Sequence, residues 1–147
     1  MQKIVYAAFG KDLDSEIQGV LEAIEELNDG TLIPLGHGLT LAEEKTDLSH
    51  CDLFLGVLWT RFDHAEEFYQ ALGSECYKLF FFCNYKVTPD RICVDELKKL
   101  FAFRDFLDGE KNVQYHFIQD PLLFKETVKQ KLYNWFNKFL GKERKSP

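Results

Sequence analysis

Two short stretches of this chain are apolar at nearly every position. They are 52–59, DLFLGVLW, and 78–83, KLFFFC. A strand with one face in water alternates apolar and polar residues, whereas a strand covered on both faces has no need to alternate. Both stretches are also far shorter than the ~20 apolar residues that span a bilayer. The sequence therefore predicts two central strands of a parallel sheet, with helices packed on both of its faces.

The whole chain is predicted to alternate between strands and helices. Strands are expected at 3–9, 31–35, 52–59, 78–85 and 113–118, and helices at 12–28, 40–49, 64–74, 88–109 and 121–140. Asn28-Asp29-Gly30 suits the end of the first helix, and Thr88-Pro89 suits the start of the fourth. Alternation at these lengths implies right-handed crossovers between parallel strands. The predicted fold class is α/β, a three-layer sandwich around a five-stranded parallel sheet in the flavodoxin-like order 2-1-3-4-5.

Length and composition fit one domain. The chain has 147 residues, of which 46% are apolar and 15% aromatic, and this is enough for one substantial core. No linker, repeat or low-complexity segment divides it. We expect a single domain over 1–141 and a flexible tail over 142–147.

The net charge of the chain bears on its binding partners, and the spacing of its cysteines bears on metal binding and redox state. The formal net charge of −6 disfavours nucleic acid and anionic membranes as partners. The opening MQKIVYAAFGKD reaches charged residues too early for a signal peptide. The cysteines form no CxxC pair and have no histidine at ligand spacing; they are Cys51, Cys76, Cys83 and Cys93. We therefore expect a cytoplasmic protein with reduced thiols, no metal and no resident cofactor.

The predicted strand order also predicts where a ligand would bind. In an open parallel sheet, ligands bind beyond the carboxyl ends of the strands, at the point where the strand order reverses. For the order 2-1-3-4-5 this point lies between strands 1 and 3. The loops 8–12 and 59–67 would form the crevice there, and the loop 36–40 could overhang it.

Several residues of these loops are candidates for ligand binding. They are Phe9, Gly10, Lys11, Asp12, His37, Trp59, Arg61, Phe62 and Asp63. Each of these residues can also have a purely structural role without binding a ligand. Arg61 can pair with a carboxylate, Trp59 can end a buried strand, and His37 can be an exposed loop residue. Helix dipoles favour acidic residues such as Glu66 and Glu67 in any first turn. Neither GxGxxG nor GxxxxGK[ST] is present, so no phosphate loop is predicted.

The sequence resembles a known family over nearly its whole length. VYAAFGKDLDSEIQGVLEAIEELNDGTLIPLG is similar to the opening of the TIR-like domains of unknown function that precede NTPase or repeat modules. SHCDLFLGVLWTRFD, DELKKLFAFRDFL and ETVKQKLYNWF match that family's later segments. More distantly, the family resembles TIR domains and nucleoside 2-deoxyribosyltransferases, and this resemblance implies the same fold.

The resemblance also selects one of the two adjacent carboxylates. Both relatives carry a catalytic glutamate on the helix after strand 3, four residues before an alanine. Glu67 and Ala71 keep that spacing, so the resemblance implies that Glu67 is catalytic. Where the family has small hydroxyl residues after strand 1, this chain has Ala7 and Ala8. The Asp-Ser-Gly-Thr run of the deoxyribosyltransferases is missing, which favours cleavage of NAD over deoxyribosyl transfer.

Two functions of different classes follow. The first is a nucleotide-binding domain that cleaves the N-glycosidic bond of NAD, a nucleotide or a nucleoside through Glu67. Phe9, Trp59 or Phe62 would then stack on the ligand, and Arg61 or Lys11 would meet a pyrophosphate. The alternative is a non-catalytic signalling or sensor domain that acts by binding a nucleotide or through homotypic contacts in a homo-oligomer. The phospho-acceptor pattern of response regulators is absent.

Overall fold

The computed structural model describes residues 2–34, 36–42, 50–62 and 65–145, with side chains as far as Lys138. Strands and α-helices alternate along these residues. In chain order they are β1 (Gln2–Phe9), α1 (Asp14–Leu27), β2 (Gly38–Leu41), β3 (Leu53–Leu58), α2 (Ala65–Leu72), β4 (Tyr77–Cys83), α3 (Val94–Leu107), β5 (Val113–Ile118) and α4 (Phe124–Lys145). Short 3₁₀ turns at Pro89–Arg91 and Pro121–Leu123 precede α3 and α4.

The strands form one parallel sheet in the order β2-β1-β3-β4-β5. The predicted fold class and strand order are therefore confirmed. β3 is buried at each of its six positions, and β4 is buried after its first residue. Helices on both faces account for this burial, as the apolar runs predicted.

Two cores lie on opposite faces of the sheet. Side chains on successive strand residues point to opposite faces. Val5 and Leu55 face one core, which α1 and α4 complete, while Tyr6 and Phe54 face the other, which α2 and α3 complete. We call these the α1/α4 core and the α2/α3 core. The second is rich in rings, with Phe68 packed between the sheet and α3.

Gly56 in the middle of β3 lets α2 approach the sheet closely. A Cβ at this position would lie 2.6 Å from Cδ1 of Phe80 and 2.7 Å from Cε1 of Phe68. Neither phenyl ring has room to withdraw, since both are fully buried. Glycine is therefore required here by packing, because nothing larger fits under the Phe68 ring.

The second strand differs from the sequence prediction. The stretch 31–35 forms no strand over its described residues, and β2 begins instead at Gly38. Pro34 has no N–H to donate to a ladder, and Gly36 turns the chain with φ +91°. The side chain of Asn28, at the end of α1, holds β2 in place. Its Nδ2 donates to Leu39 O over 2.8 Å, and Leu39 N donates to its Oδ1 over 2.9 Å.

Two predicted helices also change. Thr40 and Leu41 of the predicted helix 40–49 belong to β2, and 43–49 lie outside the described residues. Thr88 does precede a turn that begins with proline, but this turn is a separate 3₁₀ element, and α3 begins only at Val94. The end of the first helix at Asn28 is confirmed.

Candidate functional site

The loops after β1 and β3 pack against each other at the carboxyl edge of the sheet. Gly10 N donates a hydrogen bond to Val57 O over 2.9 Å. A Cβ at Gly10 would lie only 3.0 Å from the carbonyl oxygen of Arg61. A glycine at the end of β1 thus allows the two loops to close together where the strand order reverses.

Glu67 lies in the first turn of α2 and faces the sheet, whereas its neighbour Glu66 is exposed. Oε1 of Glu67 accepts a hydrogen bond from the hydroxyl of Tyr6, which lies on the α2/α3 face of β1. One turn further along α2, Ala71 is fully buried against the same core. Burial, the hydrogen bond to Glu67 and the charge of that carboxylate raise the pKa of Tyr6. The Tyr6 hydroxyl therefore remains a proton donor to Glu67 at neutral pH.

A second polar cluster lies on the α1/α4 face of the same edge. Thr60 donates its hydroxyl hydrogen bond to Oδ2 of Asp12, and Oδ1 of Asp12 is buried without a hydrogen-bond partner among the described residues. Glu16, only 8% exposed, accepts a hydrogen bond of 3.3 Å from the Tyr85 hydroxyl. The ring centroids of Tyr85 and Trp59 lie 5.4 Å apart. Burial, together with the neighbouring Cys83 and Glu16, raises the pKa of Tyr85.

This second cluster lines an open groove of about 910 Å³. Its walls combine carboxylates, two cations and an aromatic pair; they include Asp12, Glu16, Trp59, Tyr85, Arg91 and Lys125. The carboxylates can accept hydrogen bonds from ligand hydroxyls, the Trp59 ring can stack on a flat group, and Arg91 can meet an anion. The groove is therefore suited to a polar ligand with a ring.

Two candidate residues, Glu67 and Trp59, lie on opposite faces of the sheet. Glu67 contacts Tyr6 at the α2/α3 core, while Trp59 packs with the α1/α4 core. The sequence prediction placed both in one crevice. Successive residues of β1 and β3 alternate between the faces, so the two polar clusters are separated by the sheet itself.

The other candidate residues are also distributed. Phe9 packs against the α1/α4 core, Lys11 is exposed and Arg61 is half-buried. Phe62 does not offer a stacking surface, because its ring is 3% exposed and packs against Phe103 at 4.9 Å between ring centroids. Asp63 lies outside the described residues.

The predicted position of His37 over the crevice is wrong. Its neighbour Gly38 pairs with Gln2 at the beginning of β1, so His37 lies near the amino edge of the sheet. The displaced second strand explains this error, because 36–37 precede β2 and 38–40 belong to it, so no part of this stretch follows the strand.

Glu16 is a site residue that the sequence prediction missed. Ile17 is 38% exposed although it is apolar, and the adjacent Glu16 is buried instead. A glutamate three residues after Leu13 and four before Val20 lies on the same helix face as both. An acidic residue on the apolar face of the helix was the sequence feature that could have identified Glu16 as a site residue.

The described residues contain no group of three or more histidine, cysteine, aspartate or glutamate residues that could hold a metal ion. None of the helices among them is both long and apolar enough to cross a membrane. All four cysteines are free thiols, and burial raises the pKa of Cys83 to about 12.

Comparisons with known proteins give structural similarity but no sequence match. No protein-family model matches the chain, and no curated protein matches its sequence. Among solved structures, a chain from the crystal structure of the RPS4 and RRS1 TIR domain heterodimer is similar to it. The two share 11% sequence identity with a TM-score of 0.47, over 91% of this chain and 97% of that chain.

Proposed function

We propose that this chain binds a nucleotide or nucleoside at the carboxyl edge of its sheet and cleaves the N-glycosidic bond through Glu67. The observation that carries the proposal is the pairing of Glu67 with Tyr6. Glu66 is the matched comparison, since it is adjacent in sequence but exposed. A first-turn glutamate that serves only the helix dipole has no need to face the sheet and bond a tyrosine.

Cleavage of an N-glycosidic bond requires little more from the site than a carboxylate held in a fixed position. An N-glycosidic bond breaks through an oxocarbenium-like transition state, and a nearby carboxylate stabilises its positive charge or attacks the anomeric carbon. Tyr6 would hold Glu67 in one orientation, so little reorganisation is needed when the charge develops. Nicotinamide leaves NAD from a cationic ring, so this substrate requires no separate general acid.

The experiment is release of nicotinamide from NAD, with a panel of nucleosides beside it. The wild-type protein, Glu67→Gln and Glu66→Gln are compared. Glutamine keeps the shape of the side chain, and loss of a transition-state contact worth a few kcal/mol lowers the rate by roughly a hundredfold or more. We expect this loss in Glu67→Gln alone. Absence of turnover in the wild type, or equal turnover in wild type and Glu67→Gln, would contradict the proposal.

A second candidate function is ligand binding without catalysis. It is favoured by the groove of about 910 Å³, whose lining includes Asp12 and Trp59 but not Glu67. In this case NAD or a nucleoside should bind in calorimetric titrations without being consumed. Asp12→Asn and Trp59→Leu should weaken binding, whereas Glu67→Gln should not. The same set of variants thus distinguishes the two functions.

A further inference from the structure

A separate cavity of about 320 Å³ lies between α4 and the strands β4 and β5. Gln114 and His116 of β5 line it from the sheet, and Lys131, Asn134 and Lys138 line it from α4, with Trp135 as an apolar wall. Gln114 and His116 are two residues apart and therefore project on the same face of β5. Lys131 and Lys138 are seven apart, two helical turns, and share one face of α4.

The charged side chains that line this cavity are both cationic. The whole chain carries a net charge of −6, so a cavity lined by two lysines and no carboxylate stands out. Neither Lys131 nor Lys138 forms an ion pair with a described carboxylate. Elsewhere on α4, Lys125 and Lys129 both pair with Glu26, at 2.9 and 3.2 Å. The two cavity lysines are therefore free to meet an external anion.

The imidazole of His116 adds a buried ring nitrogen to this cavity. Its Nε2 is buried and has no hydrogen-bond partner among the described residues. Buried polar atoms are nearly always paired, so an orphaned ring nitrogen at a cavity wall indicates a missing partner. The titratable groups around the ring are Lys131 and Lys138 on α4 and Tyr77 on β4. Burial and the charge of Lys131 lower the pKa of His116.

We propose that this cavity binds the tetrahedral oxyanion of a phosphate-bearing small molecule. Lys131 and Lys138 would neutralise its charge, the side-chain amides of Gln114 and Asn134 would donate to its oxygens, and His116 would donate from Nε2. Tyr77 and Trp135, with ring centroids 6.4 Å apart and ring planes inclined at 30°, would contact the apolar part of the ligand. Tyr77 and Gln114 lie at the beginnings of β4 and β5, so this site is at the opposite edge from Glu67 and does not depend on the proposed function.

The test is an NMR titration of the histidine ring signals with inorganic phosphate at pH 7.5. We expect a saturable shift of the His116 signals, with little change for His37 and His50. Lys131→Gln/Lys138→Gln should lower the affinity roughly tenfold or more, since two charge-assisted contacts are lost. The matched control is Lys98→Gln/Lys99→Gln on α3, which removes the same charge from two exposed lysines and should bind as the wild type does.

A second titration with sulfate tests the role of His116. Sulfate keeps its charge of −2 between pH 5 and pH 8, so only the protein titrates. A bound dianion favours the imidazolium, so the pKa of His116 should rise on binding and affinity should increase as the pH falls. A titration without saturation, equal affinity in both double variants, or an equal response to acetate would each overturn the proposal.

Discussion

Tyr6 and Glu67 lie 61 residues apart in the chain and are joined by one hydrogen bond from the tyrosine hydroxyl. Removing that hydroxyl oxygen therefore tests whether their pairing matters. Tyr6→Phe removes that oxygen and keeps the ring, which stacks on Phe54 at 5.7 Å. Loss of the bond leaves a half-buried carboxylate without its donor and should lower the free energy of unfolding by about 1–3 kcal/mol. Denaturant unfolding measures this.

The same variant also tests the proposed activity. If Tyr6 orients Glu67, nicotinamide release should fall in Tyr6→Phe while the KM for NAD changes little, because the tyrosine is argued to act through Glu67. Tyr69→Phe is the matched control, since Tyr69 is partly exposed and its described contacts are between rings. Equal stability and rate in the two variants would show that the Tyr6 bond contributes nothing.

At the scale of elements, the close approach of α2 to β3 depends on Gly56. Gly56→Ala places a methyl group within 2.8 Å of the Phe68 and Phe80 rings, so one of the two buried phenyl groups must move. Overpacking of this kind should cost about 1–3 kcal/mol. Thermal unfolding of Gly56→Ala and of Gly109→Ala gives the comparison, because a Cβ at Gly109 would meet nothing within 4 Å. Similar melting temperatures in these two variants would contradict the tight packing described above.

Elements with a strong local pattern could be predicted from the sequence, and those that depend on tertiary contacts could not. The runs that form β3 and β4 are apolar at nearly every position, so the sequence predicted that both faces of these strands are buried. β2 has only four residues, and its position depends on the Asn28 amide, 11 residues away from Leu39. No local pattern carries that information. The pairing of Glu67 with Tyr6 could not be predicted from the sequence either, because it depends on which face of β1 Tyr6 takes and on how α2 packs against that face.

For the whole molecule, three buried thiols report whether the two cores open together. Cys83 belongs to the α1/α4 core, whereas Cys51 and Cys76 belong to the α2/α3 core. Cys93 precedes α3 and is partly exposed. We expect Cys93 to react first with a thiol reagent in the native protein, and the other three to react together at the rate of global unfolding, as a two-state domain requires.

Mass spectrometry of the labelled cysteines separates these phases, and the unfolded, unreduced protein should show four free thiols. If Cys51 and Cys76 reacted well before Cys83, the α2/α3 core would be opening independently of the other. Fewer than four thiols would contradict the expected reduced state.

The Asn28 amide also closes part of one sheet edge to strand addition. Unpaired backbone groups along an edge strand are a template on which another chain can aggregate. At Leu39 of the edge strand β2, both backbone groups are already occupied by the Asn28 side chain. An incoming strand would have to displace two hydrogen bonds at the centre of a strand only four residues long. A residue that ends a helix therefore also protects this edge of the sheet against amyloid-like pairing.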